Sequence, residues 1–261
     1  MAIGGIDLGA LSGAAGRTAG NPIQALLQAE RNRPAQIAAE ARKPELQRDL
    51  AVFRKAVAGA KDVKTLLANP TVQRVLLTAN GLADQVGFPA LAVKALMSKL
   101  TDAKSVVNQL GNPRWKAAAE TYDFAARGLK VLRDPAVLNT ITSAYAEISW
   151  RRSLDATTPG LSDALTFRDK AGSVRNAYDI LGDPTLRRVV TRTLGIPQEI
   201  AVQTLGAQEV AITSKRDVTK LRDPAFVDAF VKRYLIAAAS NGEQPPPSMT
   251  QLAVQAFGLL L

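Results

Sequence analysis

Aspartate, glutamate and arginine carry nearly all the chemistry open to this chain. Its 261 residues include no cysteine and no histidine, which excludes thiol nucleophiles, disulfides, Cys/His zinc sites, haem ligation through histidine and every imidazole acid–base scheme. Carboxylates could still act in pairs as general acid and base. The most prominent, Asp134, Asp183 and Asp223, each stand directly before a proline. There a carboxylate accepts hydrogen bonds from first-turn N–H groups and complements the helix dipole, contributing about 1 kcal/mol, and a group so occupied is a poor proton carrier. Glu120 with Asp123 and Asp179 with Asp183 are three and four residues apart, spacings that recur on any solvated helix face. No phosphate-binding loop, dinucleotide fingerprint, zincin helix or EF-hand loop occurs. The residues predict a protein that is not an enzyme and uses no cofactor or metal.

The elements that position these groups are spelled out twice. Phe53, Arg54, Asp62, Leu66, Leu67, Asn69, Pro70, Thr71, Val72, Arg74, Val75, Gly81 and Leu82 are matched 114 residues on by Phe167, Arg168, Asn176, Ile180, Leu181, Asp183, Pro184, Thr185, Leu186, Arg188, Val189, Gly195 and Ile196. Matching residue types without an internal gap indicate an internal duplication. Asn69-Pro70 and Asp183-Pro184 are helix starts, because Asn or Asp caps while proline gives up an N–H that had no partner. The residue before proline is pushed out of the α region, so the preceding short helix must end there. Asp62 and Asn176 cap those short helices, and Gly81 and Gly195 stop the helices that follow. Arg74 and Arg188 are spaced to cross the corner and bond a neighbouring carboxylate or helix-end carbonyl. A further echo pairs Leu110, Asn112, Pro113 and Trp115 with Leu221, Asp223, Pro224 and Phe226 at a spacing of 111, with the aromatic as a core anchor.

Composition agrees with helices. The chain is 47% hydrophobic and only 5% aromatic, with glycine and proline at the edges of periodic segments, and it is long enough to bury a core without metal or disulfide. The net charge of +10 raises the question of a polyanionic partner. Its sources are scattered: Arg31 with Arg33, Arg151-Arg152, Arg187-Arg188 with Arg192, Lys215-Arg216 and Lys232-Arg233. That is the pattern of a solvated basic face. Nucleic acid is therefore not the expected partner, and a basic helical protein binding nucleic acid or an anionic membrane is the alternative reading. No run reaches the roughly 18 apolar residues of a transmembrane helix. Residues 1–20 lack the basic start and continuous apolar core of a cleavable signal peptide.

The chain divides into a flexible N-terminal arm with short helices (1–45), a first helical half (46–152), a link (153–161), a second helical half (162–240), a spacer containing Pro245-Pro246-Pro247 (241–248) and an amphipathic C-terminal helix (249–261). In the first half Asp102 is read as capping a short helix ending at Leu110, and the helix from Pro135 has no counterpart in the second. Ser162 is read as the cap of the helix carrying Phe167. At the end, Met249, Leu252, Ala253, Ala256, Phe257 and Leu260 fall at i, i+3, i+4, i+7, i+8 and i+11, one apolar stripe. The stripe either folds back on the core or docks on another subunit, and for the second reading Met249, Leu252, Phe257 and Leu260 are the candidate partner-binding residues. The expected fold is all-α, two duplicated helical halves with an arm before them and an amphipathic helix after.

The Phe53-Arg54 helix, the short Asp62-to-Leu67 helix, the Asn69 cap, the Gly81-Leu82 stop, the Asp102–Asn112 segment and the aromatic helix from Trp115 to Phe124 resemble the bacterial family called domain of unknown function 1217, over roughly residues 46–240. Members occur mainly in alphaproteobacteria, frequently beside flagellar genes. The resemblance implies a structural or assembly role in the flagellum or its basal body (otherwise the cytoplasm), with flagellar proteins as partners; the C-terminal stripe adds self-association as the other expectation. It carries over no active-site residue.

Overall fold

The computed structural model of the chain describes residues 21–110 and 112–240. The first twenty residues of the arm, the proline spacer and the C-terminal stripe, with Met249, Leu252, Phe257 and Leu260, lie outside them.

The fold is all-α, and no strand occurs among the described residues. The first half runs through α1 (Pro22–Arg31), α2 (Arg33–Ala41), α3 (Pro44–Gly59), α4 (Val63–Leu67), α5 (Pro70–Ala79), α6 (Pro89–Leu96), α7 (Val106–Gln109), α8 (Pro113–Tyr122), α9 (Phe124–Arg127) and α10 (Pro135–Leu154). The second contains α11 (Leu161–Ala171), α12 (Ala177–Gly182), α13 (Pro184–Thr193), α14 (Leu205–Thr213) and α15 (Pro224–Ser240). Short 3-10 helices at Ala83–Gln85, Gly128–Arg133, Gln198–Val202 and Val218–Arg222 join them.

The duplicated stretch folds the same way in both places. Asn69 Oδ1 accepts from the N–H groups of Thr71 and Val72 at 2.9 and 3.2 Å, and Asp183 Oδ1 from those of Thr185 and Leu186 at 2.8 and 3.2 Å. Asp62 caps α4, and Asn176 caps α12 in a capping box with Asp179. Gly81 and Gly195 take φ values of 70° and 60°. The N–H three residues past each helix then reaches back, Leu82 to Leu77 and Ile196 to Thr191, both at 2.8 Å, which satisfies end carbonyls as glycine-terminated helices do.

Packing revises one equivalence. α15 lies on α13, and the helix lying on α5 in the same manner is α10 rather than α8, which packs on α6 and α7. Both α10 and α15 follow a 3-10 helix and the identical run Leu-Arg-Asp-Pro-Ala, at Leu132–Ala136 and at Leu221–Ala225. The expectation that α10 has no counterpart, and that Asn112-Pro113 answers to Asp223-Pro224, is corrected accordingly.

Two apolar clusters form the interior. One gathers Phe53, Leu67, Leu76, Leu96, Trp115 and Leu132; the other gathers Phe167, Phe230, Val231 and Tyr234, with Trp150 from α10. Leu26 and Ala29 of α1 are buried in this second cluster, and α2 lies along α10. The helices expected inside a flexible arm are thus part of the packed body. Arg168 holds α1 in place, donating to Glu30 at 2.6 Å and to Asp228 of α15 at 3.1 Å.

Two cap assignments also change. Asp102 bonds the N–H of Lys104 in a turn, and α7 starts after Ser105. α11 starts after Gly160, at φ 82°, and the N–H of Ser162 is satisfied from a distance by Asp155 at 2.9 Å. Gly160 is closed in by α15: a Cβ there would sit 2.9 Å from Ala238 Cβ and 3.1 Å from the Tyr234 side chain.

Candidate functional site

α10 is long enough to serve both cores. Ile141, Tyr145 and Ala146 belong to the first, while Trp150 belongs to the second and donates its indole N–H to Gln36 at 2.9 Å. On the side facing α11 it places Glu147 and Arg151 four residues apart, so both point the same way. Glu147 accepts from Arg33 and from Arg151, both at 2.5 Å. Asp169 of α11 accepts from Arg33 at 3.0 and 3.2 Å and also from Arg151, whose other nitrogen donates to Thr166 at 3.2 Å. Burial pushes Glu147 and Asp169 upward, but the bonds from the two arginines outweigh it and hold both carboxyls below their ordinary values. Hydrogen bonding to Asp169 raises Arg33 above its own. The consecutive helices α10 and α11 and the distant α2 are clamped by one alternating set of charges.

A second clamp joins the duplicated corners to each other. Arg114, in the first turn of α8, donates to the carbonyl of Gly81 at 2.9 Å, to Asp183 at 2.7 Å and to Thr185 at 2.8 Å. Lys170 adds a bond to Asp183 at 2.5 Å. Asp183, only 7% exposed, is pushed up by burial and pulled down further by Lys170 and Arg114, so it stays ionised. The helix stop of one half is thereby tied to the helix start of the other.

Between the clamps lies a cleft of about 520 Å³ whose walls include Arg114, Arg151, Asp155, Asp163, Arg188 and Tyr234. Arg188 grips Asp163 with two nitrogens, at 2.5 and 2.6 Å, and Tyr234 donates to the same carboxylate at 3.0 Å. The first half repeats this set, its arginine and aspartate 114 residues earlier and its tyrosine 89: Arg74 grips Asp49 at 2.9 and 2.5 Å, and Tyr145 donates at 2.6 Å. Burial, then the neighbouring Asp49, pushes the Tyr145 hydroxyl up to about 12. Burial and Asp163 push Tyr234 up as well. Each tyrosine therefore stays a donor. In the same cleft Ser162 donates to Asp155, a carboxyl raised by burial. Because Asp155 also takes the Ser162 N–H, this pair does the work of a helix cap. Among the described residues no group of three or more His, Cys, Asp or Glu is placed to hold a metal, and no helix is long and apolar enough to cross a membrane.

The carboxylates singled out by sequence take structural posts. Asp134 and Asp223 bond the N–H groups of Ala136 and Ala225 at 2.8 and 2.9 Å. Asp179 faces the N–H groups of Arg175 and Asn176 rather than Asp183, and Asp123 sits in the left-handed region between α8 and α9 at φ 41°. Arg74 and Arg188 brace carboxylates as their spacing predicts. Sequence reasoning missed Asp49 and Asp163, although they keep the same 114-residue separation as their arginines, and it missed Arg114, which has no repeat to mark it. On the outside, the 3-10 helix Gln198–Val202 and α14 leave Val202, Leu205 and Val210 at 86%, 62% and 63% exposure.

The fold has a solved counterpart. A crystal structure of protein AGR_C_984 from Agrobacterium tumefaciens is similar at a TM-score of 0.68 and 22% identity, covering 85% of this chain and 94% of that one, a likeness of fold. No curated protein matches the sequence. The model of the family described as protein of unknown function, DUF1217, matches residues 79–227, more than half of the chain, and the chain belongs to that family.

Proposed function

We infer that this protein is a non-enzymatic structural or assembly component that acts through protein–protein contact. The observation carrying this reading is where its polar groups are used. The carboxylates lining the central cleft, Asp84, Asp155 and Asp163, are bonded within the fold by Gln85, Ser162, and Arg188 with Tyr234, while the apolar side chains around α14 stand in solvent. Such surface is what partner-binding proteins present. The family resemblance adds the setting, with flagellar proteins as partners and the flagellum or basal body as location, and the apolar stripe of Met249, Leu252, Phe257 and Leu260 adds the contact residues.

A pull-down from motile cells, comparing the full chain with one lacking 249–261, tests this. Recovery of flagellar components by the full chain alone is expected, with weaker swimming in a strain carrying the truncation. Recovery of none, with normal swimming, overturns the reading. One observation favours the alternative of a polyanionic partner: Arg152 and Arg192 line the cleft and form no ion pair with a described residue. Binding to DNA or anionic vesicles that falls steeply with added salt would establish it.

A further inference from the structure

The aspartate, arginine and tyrosine set that both halves repeat lines a cleft in each, and the two clefts differ in charge. The one in the first half sets Arg48, Arg74 and Arg152 against Glu40, Glu45 and Asp49. Its charges balance. The central one sets Arg114, Arg151, Arg152, Arg188 and Arg192 against Asp84, Asp155 and Asp163, so arginine outnumbers aspartate on its walls. Arg114 is bonded to Asp183, Arg151 to Glu147 and Asp169, and Arg188 to Asp163. Arg152 and Arg192 form no ion pair among the described residues. The two aspartates left without an arginine are occupied otherwise: both oxygens of Asp155 take Ser162, and Asp84, which is exposed, takes Gln85.

Arg192 is also where the repeat breaks. The residue 114 positions earlier is Thr78, buried at 3% exposure, so the second half presents a guanidinium where the first buries a hydroxyl. Arg192 stands close enough to Tyr234 to act on it, drawing against the burial and the Asp163 charge that raise its hydroxyl. Two of the bonded arginines have donors to spare: Arg114 Nε and Arg151 Nε are buried without a partner among the described residues, and Arg151 is only 6% exposed. Their unanswered N–H dipoles add positive potential to a cleft with low-dielectric walls. α11 and α13 both begin at this cleft, at Gly160 and Pro184, and bring the positive ends of their dipoles to it.

We propose that this cleft binds a small phosphate-bearing molecule, its phosphate held by Arg152 and Arg192. A carboxylate, with one charge, is satisfied by one guanidinium fork. A phosphate group carries about 1.5 to 2 charges at neutral pH and has oxygens for two forks. The volume of about 520 Å³ lies in the range of small-molecule pockets, about 300–1,000 Å³, and Ile148, Pro159 and Pro184 give an apolar wall to whatever carries the phosphate. Walls from α8, α10, α11, α13 and α15 suit such a molecule better than a duplex, whose phosphates call for basic groups spread along an open face.

This binding is separate from the interaction reading above and stands or falls without it. The probe is pyrophosphate, titrated calorimetrically into the full chain at moderate salt. It should bind at one site per chain, and Arg152→Gln and Arg192→Gln should each weaken it about tenfold. Arg48→Gln, which removes the same charge from the balanced cleft, should leave it unchanged. Neither Arg152 nor Arg192 forms an ion pair with a described residue, so the fold should not depend on them. Pyrophosphate should also raise the melting midpoint of the full chain and leave that of the Arg152→Gln, Arg192→Gln double variant unmoved. Acetate at matched ionic strength should do neither. Absence of saturable binding, equal weakening by Arg48→Gln, or full affinity in the double variant overturns the proposal. Duplex DNA bound through Arg152 and Arg192 by a chain that ignores pyrophosphate also overturns it, in favour of the polyanionic partner.

Discussion

The half centred on α5 and the half centred on α13 set aspartate, arginine and tyrosine against one another in the same way, yet they differ in how much they borrow. The first buries its own Trp115, Phe53 and Leu96 and caps its corner with the neutral Asn69. The second takes Leu26 from α1 and Trp150 from α10 into its core, and caps its corner with a charged Asp183 that also holds Arg114 from the other half. The two halves are unequal, one closed on itself and one completed by its neighbour. Any change to a borrowed part should therefore weaken the second half first.

Leu26→Ala is the strongest way to break that contrast. Leu26 is fully buried, and truncation should cost about 2–5 kcal/mol in chemical denaturation, although the residue lies outside the duplicated region. An unchanged midpoint would mean that α1 contributes no core. Next comes the pair of caps. Asp183→Ala removes a cap and leaves Arg114 without its carboxylate, and should cost about 3 kcal/mol. Asn69→Ala removes a cap alone and should cost about 0.5–2 kcal/mol. Equal losses would show that the tie between the corners contributes nothing.

Acid should separate the halves more gently. Asp183, Asp169, Glu147 and Asp49 all have folded values below their ordinary ones. Their stabilisation is present above about pH 4, the range of unfolded carboxyls, and is lost as pH falls through the lower folded values. Three of the four serve the second half or the clamp on it. With Trp115→Phe leaving only Trp150, and Trp150→Phe leaving only Trp115, the Trp150 fluorescence should change at the higher pH. Coincident transitions would remove the distinction. The smallest effect is expected where the halves agree: Tyr145→Phe and Tyr234→Phe each delete one hydroxyl bonded to an aspartate and should each cost about 1 kcal/mol. A difference beyond about 1 kcal/mol between them would show that the repeated set is not equivalent in energy.

What the sequence revealed was local. Asn69-Pro70, Asp183-Pro184, Gly81 and Gly195 fix their own backbone, so helix starts and stops could be read without knowing the neighbours. The fold class followed from them. A fixed spacing of 114 hid the equivalence of α10 and α15, since the extra residues of α7–α9 shift it to 89; the repeated Leu-Arg-Asp-Pro-Ala run was the available signal. Ser162 looked like a cap because serine commonly is one, whereas the group that serves, Asp155, comes from across the link. The seam of Arg33, Glu147, Arg151 and Asp169 joins residues up to 136 positions apart, and no local rule connects them. The family model takes in 79–227, narrower than the likeness over 46–240, so Arg74 and Asp49 fall outside it and Arg188 and Asp163 within.

Gly160 has a consequence for how such a chain can change over generations. Its left-handed backbone suits only glycine and, with strain, a few polar residues, and the space beside it is already occupied by Ala238 and Tyr234. Gly195, in the same backbone region, has nothing within 4 Å of an added Cβ. Drift at 195 is therefore checked by one requirement, the turn itself. Drift at 160 is checked by two and is chained to two distant sites, so a larger residue at 238 is barred for as long as the link between the halves keeps its present path.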